Sequence, residues 1–165
     1  MKKSFVAVLM GSSSDLPVIQ NCLDILNKLE IDYEVKITSA HRTPDVTKKF
    51  VQDADLRGCA VFIAAAGLAA HLAGAVAATT IKPVIGIPLN GALEGMDSLL
   101  STVQMPAGIP VATVAIGKHG AKNAAYLAAQ ILATKVSAMA QKLLQERQEN
   151  AQAVIQADAE LQQQH

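Results

Sequence analysis

Short apolar runs alternate along this chain with stretches whose apolar residues recur every three or four positions. Phe5–Met10 (FVAVLM) is continuously apolar and ends at Gly11, which reads as a buried strand. Ile19, Cys22, Leu23, Leu26 and Leu29 follow at helical spacing. Tyr33–Thr38 (YEVKIT) alternates and is rich in strand formers. Thr43-Pro44-Asp45 has the form of a helix start, with Thr as N-cap, Pro in the first helical position and Asp at the positive dipole end. That helix is expected to run to about Leu56 and stop at Gly58. Ala60–Ala65, Val84–Ile87 and Val111–Ile116 read as three further strands. Leu72–Thr80 reads as an Ala-rich helix, and Asn123–Val136 as the start of a last one.

Strands that alternate with helices imply a parallel sheet with right-handed crossovers. The expected α/β fold is a flavodoxin-like three-layer α/β/α sandwich, strand order 2-1-3-4-5, with a C-terminal helical extension. From about Lys135 the chain becomes polar, Gln-rich and helix-prone. Val154, Ile155 and Leu161 are too sparse there to build a core. The expected division is therefore a catalytic α/β domain over 1–134 and a helical tail over 135–165. The tail either lies on a neighbouring subunit or frays; the first is the expectation.

Composition narrows the class. Of 165 residues, 51% are hydrophobic but only 3% aromatic, so the core must be aliphatic, as suits a parallel sheet covered by helices. Lys and Arg balance Asp and Glu at a formal net charge of zero, which argues against a nucleic-acid partner. No run is long enough to span a membrane. The six apolar residues after Lys2 and Lys3 are too few for a signal-peptide core. Cys22 and Cys59 stand apart without metal-ligand spacing and read as buried reduced thiols, in keeping with the cytoplasm.

Ligands of open parallel sheets bind beyond the carboxyl ends of the strands, and three loops there carry polar chemistry. Gly11-Ser12-Ser13-Ser14-Asp15 follows the first strand. Its hydroxyls and amides suit a phosphate and Asp15 suits sugar hydroxyls, although a plain Ser/Asp helix cap fits the spacing equally well. Ser39-Ala40-His41-Arg42-Thr43-Pro44 follows the second strand. It joins a fork of phosphate-matching donors to the one side chain that titrates near neutrality; the plainer reading is a surface loop. Gly67-Leu68-Ala69-Ala70-His71-Leu72-Ala73-Gly74 follows the third. Its small residues let backbone approach a flat ring. His71, near a helix start, is expected to stay neutral or else to cap or pack. His119 and His165 are expected to be solvent-exposed and carry no role. Together the loops describe a site for a small phosphorylated, sugar-bearing molecule. Neither a P-loop nor a dinucleotide fingerprint is present, and no cluster has metal-ligand character, so neither metal nor cofactor is expected.

At these residues the chain resembles the 5-(carboxyamino)imidazole ribonucleotide mutases and their relatives, the aminoimidazole ribonucleotide carboxylases. The resemblance spans about Val6 to Leu132 and rests on MGSSSD (Met10–Asp15), SAHRTPD (Ser39–Asp45), GLAAHLAG (Gly67–Gly74), DSLLSTVQMPAGIPVATVAIG (Asp97–Gly117) and NAAYLAAQIL (Asn123–Leu132). Arg42 and Pro44 place it with the mutases. The third loop carries Leu68 and Ala73 where the mutases usually have Gly and Pro.

The resemblance implies a purine-biosynthesis isomerase that moves a carboxylate from nitrogen to carbon on an aminoimidazole ribonucleotide, without cofactor or metal. It implies His41 as general acid and base. Ser12, Ser14, Asp15, Ser39 and Arg42 would bind phosphate and ribose, and Ala40, Ala66, Gly67, His71 and Leu72 would line the rest of the substrate site. It also implies a homo-oligomer, an octamer. The apolar, proline-stiffened loop 104–110 adds a motive for assembly. Two alternatives stay open on the residues: a carboxylase that uses free carbon dioxide, and a phospho-ligand binding module without turnover.

Overall fold

The structure, a computed structural model, describes residues 4–163; His165 lies outside them. Five strands form one parallel sheet: β1 (Phe5–Met10), β2 (Tyr33–Ile37), β3 (Cys59–Ala66), β4 (Val84–Pro88) and β5 (Ala112–Thr113). They lie in the order β2-β1-β3-β4-β5, as expected. Between them run α1 (Leu16–Lys28), α2 (Pro44–Arg57), α3 (Leu72–Ala77) and α4 (Met96–Val103), followed by α5 (Lys118–Ala133) and α6 (Ser137–Gln162). The chain reverses direction across the sheet after β2, so right-handed crossovers put helices on both faces.

All six residues of β1 are buried, which explains its continuous apolar run. Alternate residues serve opposite faces. Phe5, Ala7 and Leu9 join Phe62 and Ala64 of β3 in one cluster with Val51 and Ala54 of α2 and Leu72, Ala73 and Val76 of α3. On α1, Ile19, Cys22, Leu23 and Leu26 are buried, the spacing legible in the sequence. Burying each Val, Leu, Ile or Met side chain contributes about 1.5–3 kcal/mol. Cys22 and Cys59 are free and buried, and burial pushes their thiols up to about 12 and about 11. Both stay protonated at neutral pH.

One cap and two boundaries differ from expectation for identifiable reasons. α2 does stop at Gly58, whose φ of 100° is the left-handed geometry a glycine adopts without strain. Thr43, however, makes no side-chain cap bond to α2. Its hydroxyl is spent in the preceding loop, accepting from the Ser39 N–H at 2.9 Å. β5 is two residues long instead of six, because it pairs with β4 only at Ile85–Ala112 and Gly86–Thr113. The chain then turns directly into α5. A Cβ on Gly120 would collide with the Ala115 carbonyl, so the turn requires glycine there. α5 accordingly starts at Lys118 and not at Asn123.

α4 was not anticipated. Met96, Leu99, Leu100 and Val103 have helical spacing, yet Met96, Leu100 and Val103 are about half exposed. The buried face is Ser98 and Thr102. Ser98 Oγ donates to the Leu89 carbonyl at 2.6 Å and Thr102 Oγ1 to the Ser98 carbonyl at 2.7 Å, which removes the cost of burying hydroxyls. In the loop that follows, Met105 lies against Gly74 of α3 in the same chain, while Pro106, Ala107 and Pro110 are exposed.

The chain divides into two compact units at Ala128/Ala129, inside α5. Most of the second is α6, a single helix of 26 residues. Gln145–Glu149 and Gln156–Glu160 pairs, each at 2.9 Å, lace its surface, and Leu144, Val154, Ile155 and Leu161 are exposed on it. No helix among the described residues is long and apolar enough to cross a membrane.

Gly86 sits where β4 meets both α3 and α4. A Cβ there would collide with Thr102 Cγ2, lie 2.9 Å from Val111 Cγ1 and 3.3 Å from Ala73 Cβ. Overpacking of this kind costs about 1–3 kcal/mol. Gly86→Ala should lower the unfolding free energy by that amount in urea titration; an unchanged midpoint would show that the α3/α4 layer yields freely.

Candidate active site

Each of the first four strands ends at one edge of the sheet, and the loop after each contributes to one cavity of about 580 Å³. Gly11, Ser12, Ser14 and Asp15 come from the loop after β1, and Ser39 to Arg42 from the loop after β2. Ala66 to Ala69, His71 and Leu72 follow β3, and Leu89 to Gly91 follow β4. All eleven residues expected from the sequence line this cavity: Ser12, Ser14, Asp15, Ser39, Ala40, His41, Arg42, Ala66, Gly67, His71 and Leu72. Leu89-Asn90-Gly91 was missed. An Asn-Gly turn signal directly after an apolar strand marked it, and the topology rule for strand ends applied to β4 as it did to the first three.

In the first loop, the cap and ligand-site readings describe the same atoms. Ser13–Asp15 is a single 3-10 turn capped by Ser12, with Asp15 reaching back to the Ser12 N–H at 3.0 Å. Ser14 Oγ donates to Ser12 Oγ at 2.9 Å. The reciprocal cap holds the hydroxyls and the carboxylate on the cavity wall. Burial pushes the Asp15 carboxyl above its ordinary range, against the pull of the Ser12 and Gly11 N–H groups and the Ser14 hydroxyl.

In the second loop, Thr38 Oγ1 lies 2.7 Å from Thr47 Oγ1 and 3.1 Å from Thr43 Oγ1. Ser39 Oγ accepts from the Arg42 N–H at 3.1 Å, which leaves its hydroxyl proton free to donate to a ligand. These bonds fix the turn that presents His41 and Arg42. The Arg42 guanidinium donates across to the Gly11 carbonyl at 3.3 Å and has no carboxylate partner among the described residues. It is a positive charge available to an anion at the junction of the first two loops.

The third loop supplies the least expected contact. His71 neither caps α3 nor packs in the core. Its Nδ1 lies 2.7 Å from His41 Nε2, and the rings stand edge to face at 80° with centroids 4.8 Å apart. One nitrogen must hold the proton and the other accept it, so the two rings cannot both be cationic. Thirty residues separate them in sequence, and the β2-to-β3 crossover, which passes over β1, brings them together. His119 is exposed and outside the cavity.

Residues 5–153 match the AIR carboxylase family model. The chain belongs to the AIR carboxylase family. Members similar to it include the N5-carboxyaminoimidazole ribonucleotide mutase of Bacillus subtilis, 50% identical over 157 residues, or 94% of this chain and 97% of that one. The mutase of the same name from Escherichia coli is 52% identical over 139 residues, 84% and 82% of the two chains. Among solved members, Treponema denticola PurE superposes with a TM-score of 0.87 at 29% identity, covering 96% of this chain and 99% of that one.

The raised Asp15 carboxyl gives a signed expectation. A carboxyl raised on folding favours the folded state when protonated. That contribution is complete below the unfolded value of about 3.9 and is lost as pH rises through the folded value. Asp15→Asn carries no such loss. Its thermal midpoint relative to wild type should therefore climb as pH is raised from about 4 towards neutrality. A difference that stays flat over this range would show that Asp15 is not desolvated.

Proposed function

We propose that this protein is an N5-carboxyaminoimidazole ribonucleotide mutase of purine biosynthesis, an isomerase that forms 4-carboxy-5-aminoimidazole ribonucleotide. The observation that carries the reading is the hydrogen-bonded His41–His71 pair, set beside an unpaired guanidinium and a hydroxyl-rich loop in one cavity. Its family membership supports the same conclusion.

In this reading Arg42, Ser12, Ser14 and the Ser39 hydroxyl hold the phosphate, and Asp15 takes sugar hydroxyls. The aminoimidazole lies over Ala66 and Gly67, where small side chains let the ring reach the wall, with Ala40 and Leu72 beside it. The N–C bond to the carboxylate breaks, its electron pair stays on nitrogen, and nitrogen takes a proton from His41. Carbon dioxide remains in the cavity. The enamine-like ring carbon attacks it to form the new C–C bond, and His41 removes the proton from that carbon. Protons balance over the cycle and no redox step occurs. Holding carbon dioxide beside the ring gives it an effective concentration far above its bulk value. A binding module would need Arg42 but not a hydrogen-bonded histidine pair in the cavity.

The catalytic machinery then belongs to residues 1–134, and residues 135–165 form a tail that packs on a neighbouring subunit of a cytoplasmic homo-oligomer, an octamer. Two apolar surfaces support assembly: the outward residues of α4 (Met96, Leu100, Val103) and those of α6 (Leu144, Val154, Ile155, Leu161). Covering them removes apolar area from water at ~25 cal/mol per Å², and closed symmetry is the usual outcome.

Purified protein given the carboxyamino substrate should form the carbon-carboxylated product without ATP. His41→Asn should cut kcat by about 10²–10⁴-fold with little change in nucleotide affinity. Arg42→Leu should weaken phosphate-bearing ligands by about 10–100-fold, as expected for a charged hydrogen bond, and leave the dephosphorylated nucleoside unaffected. A His41→Asn enzyme with normal turnover ends the acid–base assignment. In light scattering, the intact chain should run as one assembly near eight subunits, and a chain ending at Thr134 should fall to smaller species; an active intact monomer would contradict the assembly.

A further inference from the structure

Leu68 is one of three non-glycine residues with positive φ among the described residues, at 55°. A leucine in the left-handed region is strained where a glycine is not. Burial does not compensate, because the residue is 59% exposed. It lines the cavity, at the turn between Gly67 and His71. Its side chain reaches across to the loop after β4, where a Cβ on Gly91 would lie 3.0 Å from Leu68 Cδ2. The missing side chain at Gly91 thus admits the leucine. A bulky apolar group is held in an unfavourable conformation, mostly exposed, spanning two loops of the cavity rim. Strain that persists without burial gain points to a role at the site.

We propose that Leu68 is the apolar stopper of the cavity, a positioning residue that keeps carbon dioxide beside the ring between the two half-steps. The inference rests on the mutase reading above. Leu68 bridges the β3 and β4 loops at the cavity rim, its side chain lying over Gly91. Carbon dioxide carries no charge and is a weak acceptor, so a charged donor such as Arg42 does little to retain it; closing its path by shape does. Truncating Leu68 opens that path without touching the proton-transfer pair or the phosphate anchors.

The test is isotope exchange during turnover. The carboxyamino substrate is converted in buffer containing ¹³C-labelled carbon dioxide and bicarbonate, and label in the product carboxylate is read by mass spectrometry. The wild type should retain most of the substrate's own carbon. Leu68→Ala should raise label several-fold and release free aminoimidazole ribonucleotide, with KM for the substrate little changed. Leu68→Met, which restores apolar length, should bring label back toward the wild-type level. The thermal midpoint of Leu68→Ala should stay near that of wild type, since the side chain is mostly exposed. A competent wild type and a Leu68→Ala enzyme with equal label would overturn the stopper alone. So would a wild type that already exchanges fully. A wild type inert toward the carboxyamino substrate would overturn the mutase reading, and the stopper with it.

Discussion

The parallel register of the sheet is the constraint on which the site depends. Met10 at the end of β1 pairs with Ile37 of β2 and Ala65 of β3, and Ala65 pairs with Ile87 of β4. Four strands therefore end level, and the four loops that follow open on the same edge. Residues 41 and 71 meet only because of this alignment. Slipping a strand by one residue would turn its buried side chains to the other face, and the complete burial of β1 makes such a slip costly. The geometry of the site is thus a consequence of core packing beneath it.

Polar residues that look like local caps hold the site in shape. Ser12 and Asp15 cap a single turn and face the cavity at once. Thr43 stands at the start of α2 but bonds backward into the loop that carries His41 and Arg42. In both places, hydrogen bonds that a helix end needs anyway are arranged so that their spare capacity points at a ligand. A cap and a binding loop are therefore not competing explanations here, and the sequence spacing by itself had no means of separating them.

The sequence showed the strands, the strand order and the loop residues well, because β1, β3 and β4 are buried on both faces and declare themselves as apolar runs. It failed where burial and polarity part company. α4 buries Ser98 and Thr102 and exposes Met96, Leu100 and Val103, so the polarity of each face runs against the usual rule. β5 reads as six strand-forming residues, yet it lies at the sheet edge and pairs over two. The His41–His71 contact was invisible for a different reason. Each histidine stands out within its own loop, but the distance between them is a property of the β2-to-β3 crossover and has no local signature.

That contact also bears on how a proton is managed in the proposed reaction. Carboxylate transfer from nitrogen to carbon consumes one proton and releases one, so the site needs a temporary store and not a net donor. A second imidazole at 2.7 Å gives His41 Nε2 a fixed partner, which holds the ring in place at the cavity. Because each ring has a second nitrogen, the contact holds one hydrogen whether the pair is neutral or carries one charge, so His41 can give up and regain a proton without losing its bond to His71.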